Sequence, residues 1–279
     1  MKISGFTIVR NAVKFNYPVA ASILSILPIC DEFIVNVGDS EDATLDLIRS
    51  IASPKIRIIQ NRWDMGRGSA VLSEQTNLAL KECTGDWAFY LQSDEVIHEA
   101  DLGLLRFWMR HYLHRKDVDA LRFWWFHFYG SFWRYRIDLG WYQKQDRIIR
   151  NNKQIESYGD AFGFRRVDGR PLRVRNTFCY LYHYGWVNSN ETMQKRCANA
   201  SDIGFLDNTK TGSFAGGYGD LNRFPSYLGT HPAVMKDIVG NHPLSREDFN
   251  AILRKTWWNP ALWLRLRIKT SRRERERIT

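Results

Sequence analysis

Short apolar runs alternate with stretches of helical periodicity through the first hundred residues. Phe6-Thr7-Ile8-Val9 predicts a first strand, Pro18 follows where a first helical turn tolerates it, and Ala20, Ile23, Ile26 and Leu27 recur at helical spacing. Phe33-Ile34-Val35-Asn36-Val37 predicts a second strand, with Asp42 placed to cap a helix carrying Leu45, Ile48 and Ile51. Ile56-Arg57-Ile58-Ile59 predicts a third strand, and the next helix runs from Ala70 to about Glu82. Gly85-Asp86 then introduces Trp87-Ala88-Phe89-Tyr90-Leu91, an unbroken apolar run suited to a strand covered on both faces, which ends in Gln92-Ser93-Asp94-Glu95. Repeated strand-helix units predict an α/β fold, a mainly parallel sheet flanked by helices.

In such sheets ligands bind beyond the carboxyl ends of the strands. Two acidic clusters fall at that edge: Gly38-Asp39-Ser40-Glu41-Asp42 after the second strand and Ser93-Asp94-Glu95 after the fourth. Each alone is an ordinary turn composition; their coincidence at one edge marks a candidate site. Beyond residue 100 the pattern changes. A helix with Leu102, Leu105, Met109 and Tyr112 leads to an aromatic run, residues 120–129, which reads as a doubly covered strand, with a sugar-stacking platform as the alternative. His111 and His114 sit three apart with no third ligand nearby, a solvated helix face rather than a metal pair. Residues 204–243, rich in Gly, Asn and Pro, predict long loops.

Composition narrows the class. The chain of 279 residues is 44% hydrophobic and 25% charged, ordinary for a globular protein that can bury one large core. No run approaches the roughly 18 uninterrupted apolar residues of a membrane span, and the start lacks the pattern of a secretory signal, so a cytoplasmic location is expected. Cys30, Cys83, Cys179 and Cys197 form no paired motif and are expected to be buried free thiols. The net charge is +10, but residues 254–279 carry nine Lys or Arg against Glu274 and Glu276, so seven of those charges sit at the chain's end. A stripe reading a phosphate backbone would run along a folded face, so no nucleic-acid partner is expected. In that terminal segment Trp257, Trp258, Leu262 and Trp263 mix with Arg265, Arg267 and Lys269. The mixture allows peripheral contact with the inner face of a membrane or packing on the body.

Residues 3–100 resemble the donor domain of family 2 glycosyltransferases, which have the GT-A fold, a Rossmann-type sheet with an acceptor-side extension. The resemblance is carried by residues 6–11, by Ser40-Glu41-Asp42-Ala43-Thr44, by Gln75-Thr76-Asn77, by residues 85–95 running into an Asp-x-Asp-Glu-like end, and by Tyr182-His183-Tyr184-Gly185-Trp186. It implies a donor-binding half over residues 1–100, an acceptor-side half over 101–253, and the basic Trp-rich segment 254–279. It further implies an inverting glycosyltransferase using a nucleoside-diphosphate sugar, a glycan or lipid-linked acceptor, and Mn²⁺ or Mg²⁺. Donor contacts are then expected from Arg10, Asn11, Asp39, Gln75, Asn77, Gln92, Ser93 and Asp94. Asp94 anchors the metal, with His183 as a further ligand, a diphosphate donor, or a core histidine.

Two departures matter. Gln92 stands where the motif has its first Asp, removing one charge beside the metal, and Asn36-Val37-Gly38-Asp39 replaces the usual paired acids. Inversion needs a carboxylate opposite the leaving group to take the acceptor's proton. Asp160, between glycines at 159 and 163, is the first candidate, with Glu95 and Asp138 in reserve; the alternative for Asp160 is a residue that orders a turn. Arg147 and Arg150 offset diphosphate charge or form a solvated strand face. Two other classes stay open: a noncatalytic nucleotide- or glycan-binding relative, motivated by Gln92, and a membrane-surface adaptor acting through the basic tail.

Overall fold

The computed structural model describes residues 1–137, 141–202 and 214–241. Expectations for Asp138 and for residues 254–279 therefore lie outside the described residues. The first half follows the predicted alternation: β1 (Ile3–Val9), α1 (Val19–Ile26), β2 (Glu32–Val37), α2 (Thr44–Ser50), β3 (Ile56–Gln60), α3 (Ala70–Lys81) and β4 (Trp87–Tyr90). The N-cap of α2 is Ala43 and not Asp42, which stands one residue earlier and accepts from the Thr44 amide through Oδ1 at 3.0 Å. One element was not predicted. Past the turn at residues 92–94 the chain enters β5 (Glu95–Ile97), so Glu95 opens a buried strand instead of closing an acidic loop.

The second half supplies α4 (Leu102–His111), β6 (Ala120–Tyr129), β7 (Tyr135–Arg136), β8 (Lys144–Arg150), β9 (Ile155–Tyr158), β10 (Gly163–Arg166), β11 (Val174–Trp186), α5 (Asn190–Asp202) and α6 (Lys236–Asn241). The main sheet runs β3-β2-β1-β4-β8-β6-β11-β5, with β7 on β6 and a separate β9-β10 hairpin. β3, β2, β1 and β4 are mutually parallel, as are β6 and β11, while β8 is inserted antiparallel between β4 and β6 and β5 pairs antiparallel with β11 at the sheet edge. The result is a mixed α/β fold with a large, mainly parallel sheet flanked by helices.

Burial follows the period of two along each strand. Val9, Val35, Phe89 and Ile148 face α1, α2 and α4 in one cluster with Ile23, Ile48 and Met109. Phe6, Ile34, Ala88 and Tyr90 face the opposite way, against Val71 and Leu80 of α3 and Ile155 and Phe164 of the hairpin. Every residue of β1 and β4 is buried, and for β4 this is the doubly covered state that its unbroken apolar run predicted. The four cysteines are free and buried.

Basic positions on β8 depart from expectation. Arg147 is 0% exposed and Arg150 caps the end of α4, donating to the carbonyls of Tyr112, Leu113, Arg115 and Val118. Neither is a solvated strand face, because β8 lies inside the sheet between β4 and β6. No helix among the described residues is long and apolar enough to cross a membrane.

Candidate active site

At the carboxyl end of β4 the chain is held by hydroxyl clamps. Thr7 Oγ1 donates to the Leu91 carbonyl at 2.7 Å, Ser22 Oγ to that of Gln92 at 3.0 Å, and Ser93 Oγ back to that of Ile8 at 3.0 Å. The Tyr184 amide donates to the Asp94 carbonyl at 2.8 Å. A turn pinned from β1, α1 and β11 gives Asp94 a fixed place, which a loop by itself would not.

The pairing of β11 with β5 and β6 sets His183 opposite both Glu95 and His127. Its Nε2 lies 3.6 Å from Asp94 Oδ2. Gly185 makes room for this approach: a Cβ there would stand 2.6 Å from each of those two atoms. Burial disfavours charge on Asp94, yet His183 and Arg196 outweigh it and hold the carboxyl below its ordinary pKa, so it is ionised at neutral pH. Behind His183, His127 Nδ1 lies 3.0 Å from His183 Nδ1, and His127 Nε2 lies 2.6 Å from the Tyr142 carbonyl. Burial, then the charge of His183, pushes the His127 pKa down to about 2, so its imidazole is neutral.

A cleft of about 750 Å³ opens in front of these groups. Arg10, Gln92, Ser93, Asp94, Asp160 and His183 all border it, bringing together the ends of β1 and β4, the turn between β9 and β10, and β11. Its farther walls are aromatic, from Trp125, Trp141, Tyr142, Phe162 and Trp186. Arg196 of α5, 5% exposed, also borders it; its guanidinium donates to the carbonyls of Phe15, Asn16 and Gly185. It makes no ion pair with a carboxylate among the described residues, so a buried positive charge faces the cleft.

Other expected residues lie away from the lining of the cleft. Glu95, the reserve base, is 0% exposed, and its two oxygens take a bidentate pair from Arg147 at 2.7 and 2.8 Å. It also accepts from the Gln92 amide at 3.0 Å, so it braces the Asp94 turn and has no carboxylate edge facing the cleft. Arg147 is consequently neutralised by Glu95. Gln75 is buried against Asn36, and Asn77 exchanges two bonds with Ser157 of β9, at 2.8 and 2.9 Å. Both therefore hold α3 to its neighbours and do not border the cleft. Asn11, with φ of 54°, orders the first acidic turn by accepting from the Glu41 amide at 2.8 Å. Asp39 is exposed behind Arg10, 3.4 Å from its Nε. Arg10 Nε and Trp63 Nε1 are buried without a hydrogen-bond partner among the described residues, and both side chains border the cleft.

Asp160 is half-buried at the cleft and accepts from the Phe162 amide at 3.2 Å, so it orders its turn as well as facing the cleft. Gln92 reaches across to this turn, its amide Nε2 lying 3.4 Å from the Ala161 carbonyl. An Asp at that position has no N–H to donate. Sequence reasoning missed His127, Arg196 and Gly185. His127 alone left a signal, a polar side chain within the aromatic run Phe123–Tyr129 of β6; Arg196 sits on an unremarkable polar helix.

Among the described residues no cluster of three or more His, Cys, Asp or Glu side chains gathers in ion-holding geometry. Asp94 and His183 are nevertheless convergent, one ionised oxygen donor and one imidazole nitrogen, with the space that Gly185 leaves open beside them. This pair suits a divalent ion that takes its remaining ligands from a diphosphate and water.

The solved structure of TarS 1–349 of S. aureus in complex with UDP-GlcNAc is 17% identical, covering 80% of this chain and 77% of that one, with a TM-score of 0.43. Glucosyl-3-phosphoglycerate synthase from Mycobacterium tuberculosis, solved with Mn²⁺, UDP and phosphoglyceric acid, is also 17% identical, covering 74% and 80%, with a TM-score of 0.41. The chain spans 46% of the longer TarS structure. No curated protein sequence matches. The profile described as Glycosyl transferase family 2 matches residues 9–170, more than half of the chain, and the chain thus belongs to that glycosyltransferase family.

Proposed function

We propose that the protein transfers a sugar, with inversion, from a nucleoside-diphosphate donor to a hydroxyl of a glycan or lipid-linked acceptor, assisted by Mn²⁺ or Mg²⁺. The observation that carries this reading is the meeting of Asp94, His183 and Asp160 on one cleft, with the Arg196 charge beneath it. Asp94 and His183 hold the cation. When bound, that ion supplies positive charge to the diphosphate oxygens as the sugar's anomeric carbon loses its leaving group. Arg196 offsets further negative charge from a buried position, where a charge acts more strongly than in water. Asp160 takes the proton of the acceptor hydroxyl as its oxygen attacks the anomeric carbon. Arg10 and Trp63 offer unsatisfied N–H groups to the acceptor atoms of the nucleoside. The aromatic wall of Trp125, Trp141 and Trp186 suits the apolar face of an acceptor sugar.

On this reading residues 1–100 bind the donor, and residues 101–253 carry the acceptor side and return Asp160, His183 and Arg196 to the same cleft. The complexes of TarS with UDP-GlcNAc and of the phosphoglycerate synthase with Mn²⁺ and UDP make a uridine nucleotide the first probe. A thermal-shift panel of nucleoside diphosphates and their sugars, with and without Mn²⁺, is the test. A matched nucleotide with Mn²⁺ raises the melting temperature, the wild type slowly hydrolyses the matching sugar donor, and Asp94→Ala loses both effects while remaining folded. Binding without any hydrolysis or transfer points instead to a noncatalytic relative, the reading that Gln92 motivates. Absence of any nucleotide effect refutes both.

A further inference from the structure

We infer that the face formed by α4 and the adjoining bulge of β11 docks on an anionic lipid bilayer, with Leu104, Phe107 and Phe178 entering the headgroup region and Arg106 and Arg110 meeting lipid phosphates. The inference goes beyond sugar transfer and does not rest on it. Strand register builds the bulge. Asn176 of β11 pairs with Arg122 of β6 and Tyr180 with Trp124, so residues 177–179 stand opposite Phe123 alone. Phe178, at the centre of the bulge, has φ of 64° and is 69% exposed. A left-handed backbone under an aromatic side chain and a phenyl ring in water both oppose folding, and Gly or Asn would make the same bend without either cost. Burial of the ring against something outside the chain offsets both.

α4 lies along this bulge: Trp108 Nε1 donates to the Thr177 carbonyl at 3.2 Å, and the Tyr180 amide faces the Asp101 carboxyl. Leu105 and Met109 turn into the core, which leaves Leu104 and Phe107 on the outer side, 41% and 55% exposed. The Phe107 ring stands edge-on to Trp108 at a centroid distance of 5.1 Å, so the indole joins it to the bulge. The ten residues of α4 include no acid, and its Arg106 and Arg110 are exposed. Arg115 is neutralised by Asp117, whereas neither of these two meets a carboxylate among the described residues. Apolar side chains rimmed by unpaired cations suit the boundary between acyl chains and anionic headgroups. A second copy of the chain fits less well, because a two-fold contact through this face sets Arg106 and Arg110 against their own counterparts. Phe178 and His183 lie five residues apart on one strand, at most roughly 17 Å, so docking holds the cleft close to any lipid-linked acceptor.

Sedimentation of the full chain with lipid vesicles is the test. Vesicles of equal parts phosphatidylcholine and phosphatidylglycerol should bind it, and phosphatidylcholine alone should bind it far more weakly. Phe178→Asn removes the ring and suits the left-handed backbone, so its melting temperature should equal or exceed that of the wild type while its vesicle affinity falls about tenfold. Phe107→Gln should lose about as much, and the two together about a hundredfold. Arg106→Gln combined with Arg110→Gln should lose about thirtyfold on the mixed vesicles and keep the weak binding to phosphatidylcholine. None of these four side chains borders the cleft, so donor hydrolysis in solution should be the same in every variant as in the wild type. A wild type that ignores both kinds of vesicle overturns the inference. So does a folded double variant, Phe107→Gln with Phe178→Asn, that binds like the wild type, since the basic residues 254–279 then do the binding. A wild type that dimerises in vesicle-free solution, with both Phe variants monomeric, also overturns it by assigning the face to a second copy.

Discussion

Replacing Gly185 by alanine separates the chemistry of the cleft from the stability of the fold. Gly185 sits in β11 with a backbone outside the left-handed region, so alanine meets no conformational penalty of its own. The added Cβ would lie 2.6 Å from Asp94 Oδ2 and from His183 Nε2, and 2.9 Å from His183 Cε1. Ordinary contacts to carbon need about 3.5 Å, so each group must retreat by roughly 1 Å. Both are side-chain ends bordering an open cleft, and they can swing aside without disturbing the strand pairing. The expected stability loss is accordingly about 1 kcal/mol, the low end for an overpacked site. The functional loss is larger, because a displacement of about 1 Å between groups that must act together costs roughly a hundredfold in rate. Calorimetric titration of UDP with Mn²⁺, donor-hydrolysis rates and a melting curve on the same preparation measure all three quantities. A Gly185→Ala enzyme with wild-type affinity and turnover would show that no ion or diphosphate oxygen occupies the gap between Asp94 and His183.

Three further outcomes follow from the geometry. Glu95→Ala strands the fully buried Arg147 charge and should cost about 3–5 kcal/mol in urea denaturation; a Glu95→Gln variant of unchanged stability and abolished turnover would return Glu95 to the role of base. Gln92→Asp loses the N–H that reaches the Ala161 carbonyl and adds a charge beside Asp94, so acceptor KM should rise while Mn²⁺ binds about fivefold tighter, the equivalent of ~1 kcal/mol. Unchanged acceptor KM would remove Gln92 from the positioning of Asp160. Burial lowers the His231 pKa to about 4 from 6.5, so its neutral form stabilises the fold above the unfolded value, and that contribution is lost as pH falls from about 6.5 toward 4. Near pH 5 the loss should be about 2 kcal/mol, seen as a melting temperature that falls more steeply with acidification in the wild type than in His231→Gln; parallel curves would contradict it.

The sequence by itself determined what is local. Alternating runs and helical spacing located the strands and helices of the first hundred residues, because side-chain period and caps are properties of neighbouring positions. The unbroken run ending at Leu91 announced a doubly covered strand, and the resemblance of residues 85–95 led to the Asp94 turn. What side chains do there was decided by partners far along the chain. Glu95 became a brace because Arg147 lies on a strand inserted beside β4, and Gln75 and Asn77 turned inward to fasten α3. Parallel pairing of β6 with β11 set His127 against His183, and α5 returned Arg196 beneath the cleft. A carboxylate reads the same in one dimension whether it ends in a cleft or on a buried guanidinium. Only the packing of distant strands settles which groups meet and which of them keep contact with solvent.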